Sequence, residues 1–292
     1  MLLRPAVITL CAGLLFAVPG RTLGQTAAPP ATAPPAVTIP PAVTNADGAP
    51  APANPANPAK LAPATDPTLA LDSLVDQVPR PLEPFLANYQ VFNGGRVLGA
   101  ATMQVAATPD ARWRIDLRLK GSGLTRLIGL NLQQSTVFDV QGIHYRPLTQ
   151  TLVKRVFLSN RKTVGTYDWN SNSALWTGDI KRTRAAPVAL QRGDMSGLLI
   201  NLAVVRDAVP GQTLRYRYVD DGRTRDHIYQ VAAQTEVIQI SDLSYDAMRV
   251  ERVQSGNEQT LIWVAAGVPT PIRILQREDG KDTTDLRLVE YH

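Results

Sequence analysis

The sequence predicts a mainly β fold: a large antiparallel meander forming an open or half barrel, with one amphipathic helix packed on it. Three observations carry this reading. Trp113, Ile115, Leu117 and Leu119 alternate with Arg112, Arg114, Asp116, Arg118 and Lys120, and Leu214, Tyr216 and Tyr218 alternate with Arg215 and Arg217. Successive strand side chains point to opposite faces, so each run has one apolar and one charged face. Turn signals follow at meander spacing: Asn93-Gly94-Gly95, Gln141-Gly142, Asn170 to Ser173, Asp220-Asp221-Gly222, Ser255-Gly256-Asn257 and Glu278-Asp279-Gly280. Such punctuation implies about eleven or twelve strands. Finally, Met195, Leu198, Leu199, Leu202 and Val205 fall at helical intervals, with Asp194 or Ser196 placed to cap the first free N–H groups and Pro210-Gly211 to end the element.

The elements before this region differ in character. Residues 1–24 read as a secretory signal peptide: Arg4 supplies the positive region, Pro5 to Val18 the short apolar region, Pro19-Gly20 the breaker, and small residues at Thr22 and Gly24 the cleavage signal. The apolar run is shorter than the roughly 18 to 20 residues of a spanning helix, so the chain is expected not to span the membrane after cleavage and to be periplasmic or secreted. Cys11 lies inside that leader and is the sole cysteine, so the mature protein is read as cysteine-free and must rely on its core. Residues 25–67 contain 12 Pro, 14 Ala and no aromatic residue; such a segment buries too little to offset its ordering entropy and reads as a disordered linker. Residues 68–84 read as a short helical lead-in, from the spacing of Leu71, Leu74, Val75 and Val78 and the stop at Pro79. Residues 85–292 form the β-barrel-like domain.

Charge excludes one class of partner. Removing Arg4 and Arg21 from 30 basic residues leaves 28 against 25 acidic ones, a net charge of +3. That is no polycation, and it does not argue for nucleic acid. Catalytic chemistry is equally thin. There are three His and no mature Cys, with no Gly-x-Ser-x-Gly turn and no metal-ligand spacing. His144, His227 and His292 read as surface histidines, and the carboxylates at Asp220-Asp221 and Glu278-Asp279 as turn residues. The Arg-Gly-Asp of 192–194 reads as a helix start. An enzyme is therefore not expected, nor a cofactor or metal. Convergence of two acids such as Asp194 and Asp242 in a cleft would reverse that.

What remains is binding. The inward-facing set, Trp113, Ile115, Leu117, Tyr216 and Tyr218, together with Trp263, are candidates to line a cavity for an apolar ligand, because a curled sheet is either filled by its own side chains or hollow. Leu124, Leu127 and Ile128, in a stretch bounded by glycines, are lid candidates and equally candidates for core. The basic positions Arg112, Arg114, Arg118, Arg215 and Arg217 are either ordinary solvation and edge protection or a contact for an anionic surface.

The chain also resembles a bacterial family of exported proteins classed as a domain of unknown function. The resemblance rests on Tyr89-x-Val91-x-x-x-Gly95 with Gly99, Gly193-Asp194-Met195-Ser196-x-Leu198-Leu199, Trp263-Val264 with Pro271-Ile-Arg-Ile274, and Leu288-Val-Glu-Tyr291. It covers about residues 86–291. It departs from the family at Gly267, where the usual Trp-x-x-x-Asp has its Asp. The resemblance implies an antiparallel β structure loosely similar to the half-barrel lipoprotein carriers of the outer-membrane localisation pathway, with no established activity. The expectation is a periplasmic, non-enzymatic binding protein for an apolar or lipid-like envelope ligand. The alternative is a structural or assembly factor that contacts anionic envelope polymers or a partner protein through an Arg-rich face.

Overall fold

Each of the six turn signals becomes a strand-to-strand hairpin in the computed structural model, which describes residues 82–292 apart from 124, 125, 127, 128, 157 and 158. The leader, the linker, residues 68–81 of the lead-in and the lid candidates Leu124, Leu127 and Ile128 lie outside the described residues. Residues 82–84 precede the first strand without helical structure.

The first half of the domain runs through β1 (Phe85–Asn93), β2 (Arg96–Ala107), β3 (Trp113–Gly121), β4 (Asn131–Gln141), β5 (His144–Val156), β6 (Ser159–Asp168), β7 (Ser173–Gly178) and β8 (Val188–Ala189). Then come β9 (Asp194–Met195) and the helix α1 (Gly197–Asp207). The second half comprises β10 (Thr213–Asp220), β11 (Arg223–Val231), β12 (Glu236–Ile240), β13 (Leu243–Val253), β14 (Glu258–Ala265), β15 (Arg273–Glu278) and β16 (Lys281–Tyr291). The strands beyond the expected number are mainly β8, β9 and β12, too short to give an alternating run.

All sixteen belong to one sheet. Its hydrogen-bonded order runs from β8 back through β7, β6, β5, β4, β3 and β2 to β1, then β16, β15, β14, β13, β11, β10 and β9, with β12 paired to β13 off this path. The pairing is antiparallel except between β9 and β10. The sheet is not closed into a barrel, since its path ends at β8 and β9, which do not pair with each other. At the β10–β11 hairpin, Asp221 and Gly222 take φ of 51° and 67°, the left-handed pair a tight two-residue turn requires.

Register identifies the inner face. Directly paired residues share a face, and Ile262, Ile274, Leu286 and Val91 lie in one row across β14, β15, β16 and β1. Ala87, Met103 and Leu117 continue that face across β1, β2 and β3. These residues and α1 make a single apolar cluster.

The helix sits differently from the amphipathic element expected. Residues Gly197 to Val204 are all buried, and α1 packs against β10 as well as β3, β4 and β5. A helix apolar over most of its circumference belongs in a core, and here it packs on the inner face of the sheet. Ser196 holds the N-cap position, but its side chain makes no capping bond. Its hydroxyl lies 3.0 Å from that of Thr136 on β4. Asp194 does not cap either: it is 1% exposed, accepts from the Gln191 N–H at 2.8 Å and pairs with Arg217 at 2.5 Å.

Where the backbone ladder stops, side chains join the sheet. The Tyr167 hydroxyl on β6 lies 2.7 Å from Gln150 Oε1 and 2.8 Å from the Val219 carbonyl of β10. Gln150 Nε2 on β5 donates to Asp220 Oδ1 at 2.9 Å. Asp221 accepts from Arg161 at 3.0 Å and from Arg184. Buried polar groups of this kind persist only when paired, and this seam holds β10 against β5 and β6 without a shared ladder.

Candidate functional site

The inward residues of β10, β11 and β13 form a surface unlike the rest of the interior. On β10 these are Leu214, Tyr216, Tyr218 and Asp220, opposite Tyr229, His227, Arg225 and Arg223 of β11. On β13, Val250 and Arg252 stand opposite Val231 and Tyr229. The whole set shares a face with Ile262, because Val250 pairs with Ile262.

Aromatic rings are contiguous along this surface. Tyr218 stacks on His227 with centroids 4.6 Å apart and planes at 20°. His227 meets Tyr229 at 6.3 Å and 64°, and Tyr229 meets Tyr216 at 5.9 Å and 58°. At one end the Tyr216 hydroxyl donates to Asp207 at 3.0 Å, tying the row to the last turn of α1. At the other the Tyr218 hydroxyl donates to Asp220 at 2.5 Å, tying it to the seam.

The electrostatics follow from burial. Burial pushes Asp220 up to about 6, against the hydrogen bond from Tyr218, which lowers it. Burial also pushes His227 down to about 3, with Arg252 and Arg225 adding repulsion, so the imidazole is neutral at pH 7. Burial raises Tyr218 well above the usual phenol range and Tyr229 to about 12; both remain hydrogen-bond donors. Arg223 is lowered by burial and by the charges of Arg225 and Arg184.

The sequence-derived lining candidates separate into three groups. Tyr216 and Tyr218 lie in this aromatic row. Ile115 and Leu117 are fully buried on β3, which α1 packs against, and Trp113 is half-buried against the same core. Trp263 is a correction: its row across the sheet contains Arg273 and Arg287, so it lies on the face opposite Ile262. There it donates to Glu236 at 2.5 Å and lies under the Arg273 guanidinium at 4.9 Å.

The outward arginines are not one patch. Strands β3 and β10 are far apart in the ladder order. Arg112 pairs with Asp110 at 3.0 Å, Arg114 with Asp116 at 2.9 Å and Arg217 with Asp194, while Arg118 and Arg215 are exposed without a carboxylate partner among the described residues. The two acids weighed for catalysis occupy different settings. Asp194 is sealed in its ion pair, and Asp242 is exposed in the turn between β12 and β13.

His227 is the principal residue that sequence reading misplaced. It is 5% exposed, not a surface histidine. The signal was the alternation of His227, Tyr229 and Val231 on β11, which continues the inward pattern of β10. Among the described residues no group of three or more His, Cys, Asp or Glu is placed to hold a metal, and no helix is long and apolar enough to cross a membrane.

Comparison with solved structures finds distant similarities. A beta-barrel-like protein of the domain of unknown function DUF1849 from Brucella abortus is similar with a TM-score of 0.46 and 10% identity, over 72% of this chain and 97% of that one. MucB is similar with a TM-score of 0.30 and 8% identity, over 77% of this chain and 58% of MucB. No curated protein matches the sequence. The profile of DUF3108, described as a protein of unknown function, matches residues 86–287, which spans all of β1 to β15 except Phe85 and most of β16. The family resemblance drawn from the short motifs is thereby borne out, and the chain belongs to the DUF3108 family.

Proposed function

We propose that this chain is a non-enzymatic envelope binding protein that holds an apolar or lipid-like ligand against the inward face of β10, β11 and β13. The observation that carries the reading is the unbroken row Tyr216, Tyr229, His227 and Tyr218 on the inner face of an open sheet. Aromatic side chains offer large, stiff apolar contact with a polar tip, which suits a surface that must take up and release a partner. The β3 candidates are better assigned to the core, because α1 packs on them. The expectation of a secretory leader at residues 1–24 of the sequence favours an exported location.

The alternative, an assembly factor acting through outward arginines, draws on Arg118 and Arg215 alone, since Arg112, Arg114 and Arg217 are held by carboxylates.

The test is native mass spectrometry of the full chain purified from the cell envelope, with organic extraction of what dissociates, followed by titration with a fluorescent fatty acid. Tyr216→Ala and Tyr229→Ala are expected to weaken uptake by about tenfold each, from the apolar area removed. Ile115→Ala is expected to lower stability and leave uptake intact. Unchanged uptake in both tyrosine variants would refute the assignment.

A further inference from the structure

Arginine pairing in this protein follows a rule with one clustered exception. Ten arginines form ion pairs with carboxylates: Arg112, Arg114, Arg146, Arg161, Arg184, Arg206, Arg217, Arg273, Arg277 and Arg287. Among the described residues, the arginines without such a partner are exposed, apart from three. Arg223, Arg225 and Arg252 are half-buried and unpaired. All three face inward, since Arg225 stands opposite Tyr218, Arg223 opposite Asp220 and Arg252 opposite Tyr229; Arg225 and Arg252 flank His227 and repel its protonated form, and Arg223 lies beside Arg225.

Desolvating cations without an ion-pair partner is costly, and neighbouring ones repel one another. The cluster also holds unused donors. Arg223 Nε, Arg252 Nε, Gln254 Nε2 and both ring nitrogens of His227 are buried and have no hydrogen-bond partner. The neutral His227 ring carries one N–H, so this is a surface of donors and positive charge with one imidazole acceptor. The charged groups facing it are Arg184 and Arg225, which repel Arg223, and Asp221, which attracts it without forming an ion pair. Asp220 is engaged by Tyr218, Gln150 and the Asp221 N–H.

We propose that Arg225 and Arg252, flanking the buried His227, with Arg223 beside Arg225, form a subsite for a phosphate-type anionic group, the head of an amphiphile whose apolar body lies along Tyr216 and Tyr229. Arginine forks match the oxygens of such a group and bind it with charge-assisted hydrogen bonds. Of this proposal, only the placement of the apolar body rests on the binding function proposed above; the anion subsite stands on the arginine cluster itself.

The experiment is calorimetric titration of the full chain at low salt with three probes: decyl phosphate below its micellar concentration, decanol and inorganic phosphate. The variants are Arg225→Gln, Arg252→Gln, their double, and Arg215→Gln as an outward control. Decyl phosphate is expected to bind at least about tenfold more tightly than decanol, the value of one charged hydrogen bond. Each single variant is expected to lose most of that preference, the double all of it, and Arg215→Gln none. Decanol affinity should stay constant throughout. Arg252→Lys keeps the charge and loses the fork, so it covers the case in which Arg252→Gln does not fold; a decyl phosphate affinity that it leaves untouched counts against bidentate capture. Inorganic phosphate binding that depends on Arg252, with neither alkyl probe bound, supports the anion subsite and refutes the apolar reading. Equal affinity for decyl phosphate and decanol in the unmodified protein overturns the subsite and leaves the apolar reading standing. No binding of any probe overturns both.

Discussion

Acid should act on Asp220 and His227 in opposite directions, and the two effects can be separated. The unfolded chain protonates its imidazole at the ordinary 6.5, while folded His227 waits until about 3. Stability from this group is complete above 6.5 and is lost as the pH falls. Between pH 8 and pH 5 the loss is about 2 kcal/mol. Asp220 takes its proton near 6 when folded, against an ordinary 3.8. Its contribution is complete below 3.8 and is lost as the pH rises through 6, so acidification from pH 8 to pH 5 returns about 1 kcal/mol. Together the two groups leave a net loss of about 1 kcal/mol on acidification of the unmodified protein. Urea unfolding followed by tryptophan fluorescence at both pH values, on the unmodified protein, His227→Gln and Asp220→Asn, separates them, because every other titrating group cancels in the comparison. Relative to the unmodified chain, His227→Gln should gain about 2 kcal/mol on acidification and Asp220→Asn should lose about 1 kcal/mol. An identical pH response in His227→Gln and the unmodified protein would mean that the imidazole is not held neutral, and the electrostatic account of the site would fail.

Two further perturbations probe the scaffold. Arg217→Met strips the counter-ion from Asp194, which is 1% exposed, and should cost about 3 to 5 kcal/mol in urea unfolding; adding Asp194→Asn should recover much of this. Trp263→Phe removes the bond to Glu236 and weakens the stacking of Arg273, for a loss of about 1 to 2 kcal/mol. Because Trp263, though buried, lies on the sheet face opposite the aromatic row, fatty-acid uptake should stay unchanged, and a drop in uptake would contradict that placement.

The turns were legible because each depends on a few adjacent residues, as at Asp221-Gly222, where backbone conformation alone selects the sequence. The alternating runs of β3 and β10 were legible for the same local reason. Burial of α1 was also written in the chain: Leu198, Leu199, Ile200, Leu202, Ala203 and Val204 cover more than one side of the helix, so a one-sided stripe understated it. Trp263 could not be oriented, because Leu261 to Ala265 are buried in succession and show no alternation; only pairing with β15 settles its face. The arginine cluster was hidden more deeply. Charged residues in a strand are ordinarily read as outward, and only the register of β10, β11 and β13, which joins distant segments, turns Arg223, Arg225 and Arg252 inward.

The pairing of β1 with β16 has a consequence for how the domain acquires its structure. Asn88 donates to Glu290 across 202 positions of sequence, and the Leu86 and His292 backbones exchange two hydrogen bonds of 2.9 Å. Hairpins such as β1–β2 or β4–β5 need only neighbouring residues and form early, whereas joining β1 to β16 closes a loop of most of the domain. Contacts of such long range slow the approach to the native state far more than they weaken it. One edge of β1 therefore stays exposed until residues 281–291 are available, so folding is completed by the arrival of β16 and cannot finish progressively as the chain emerges.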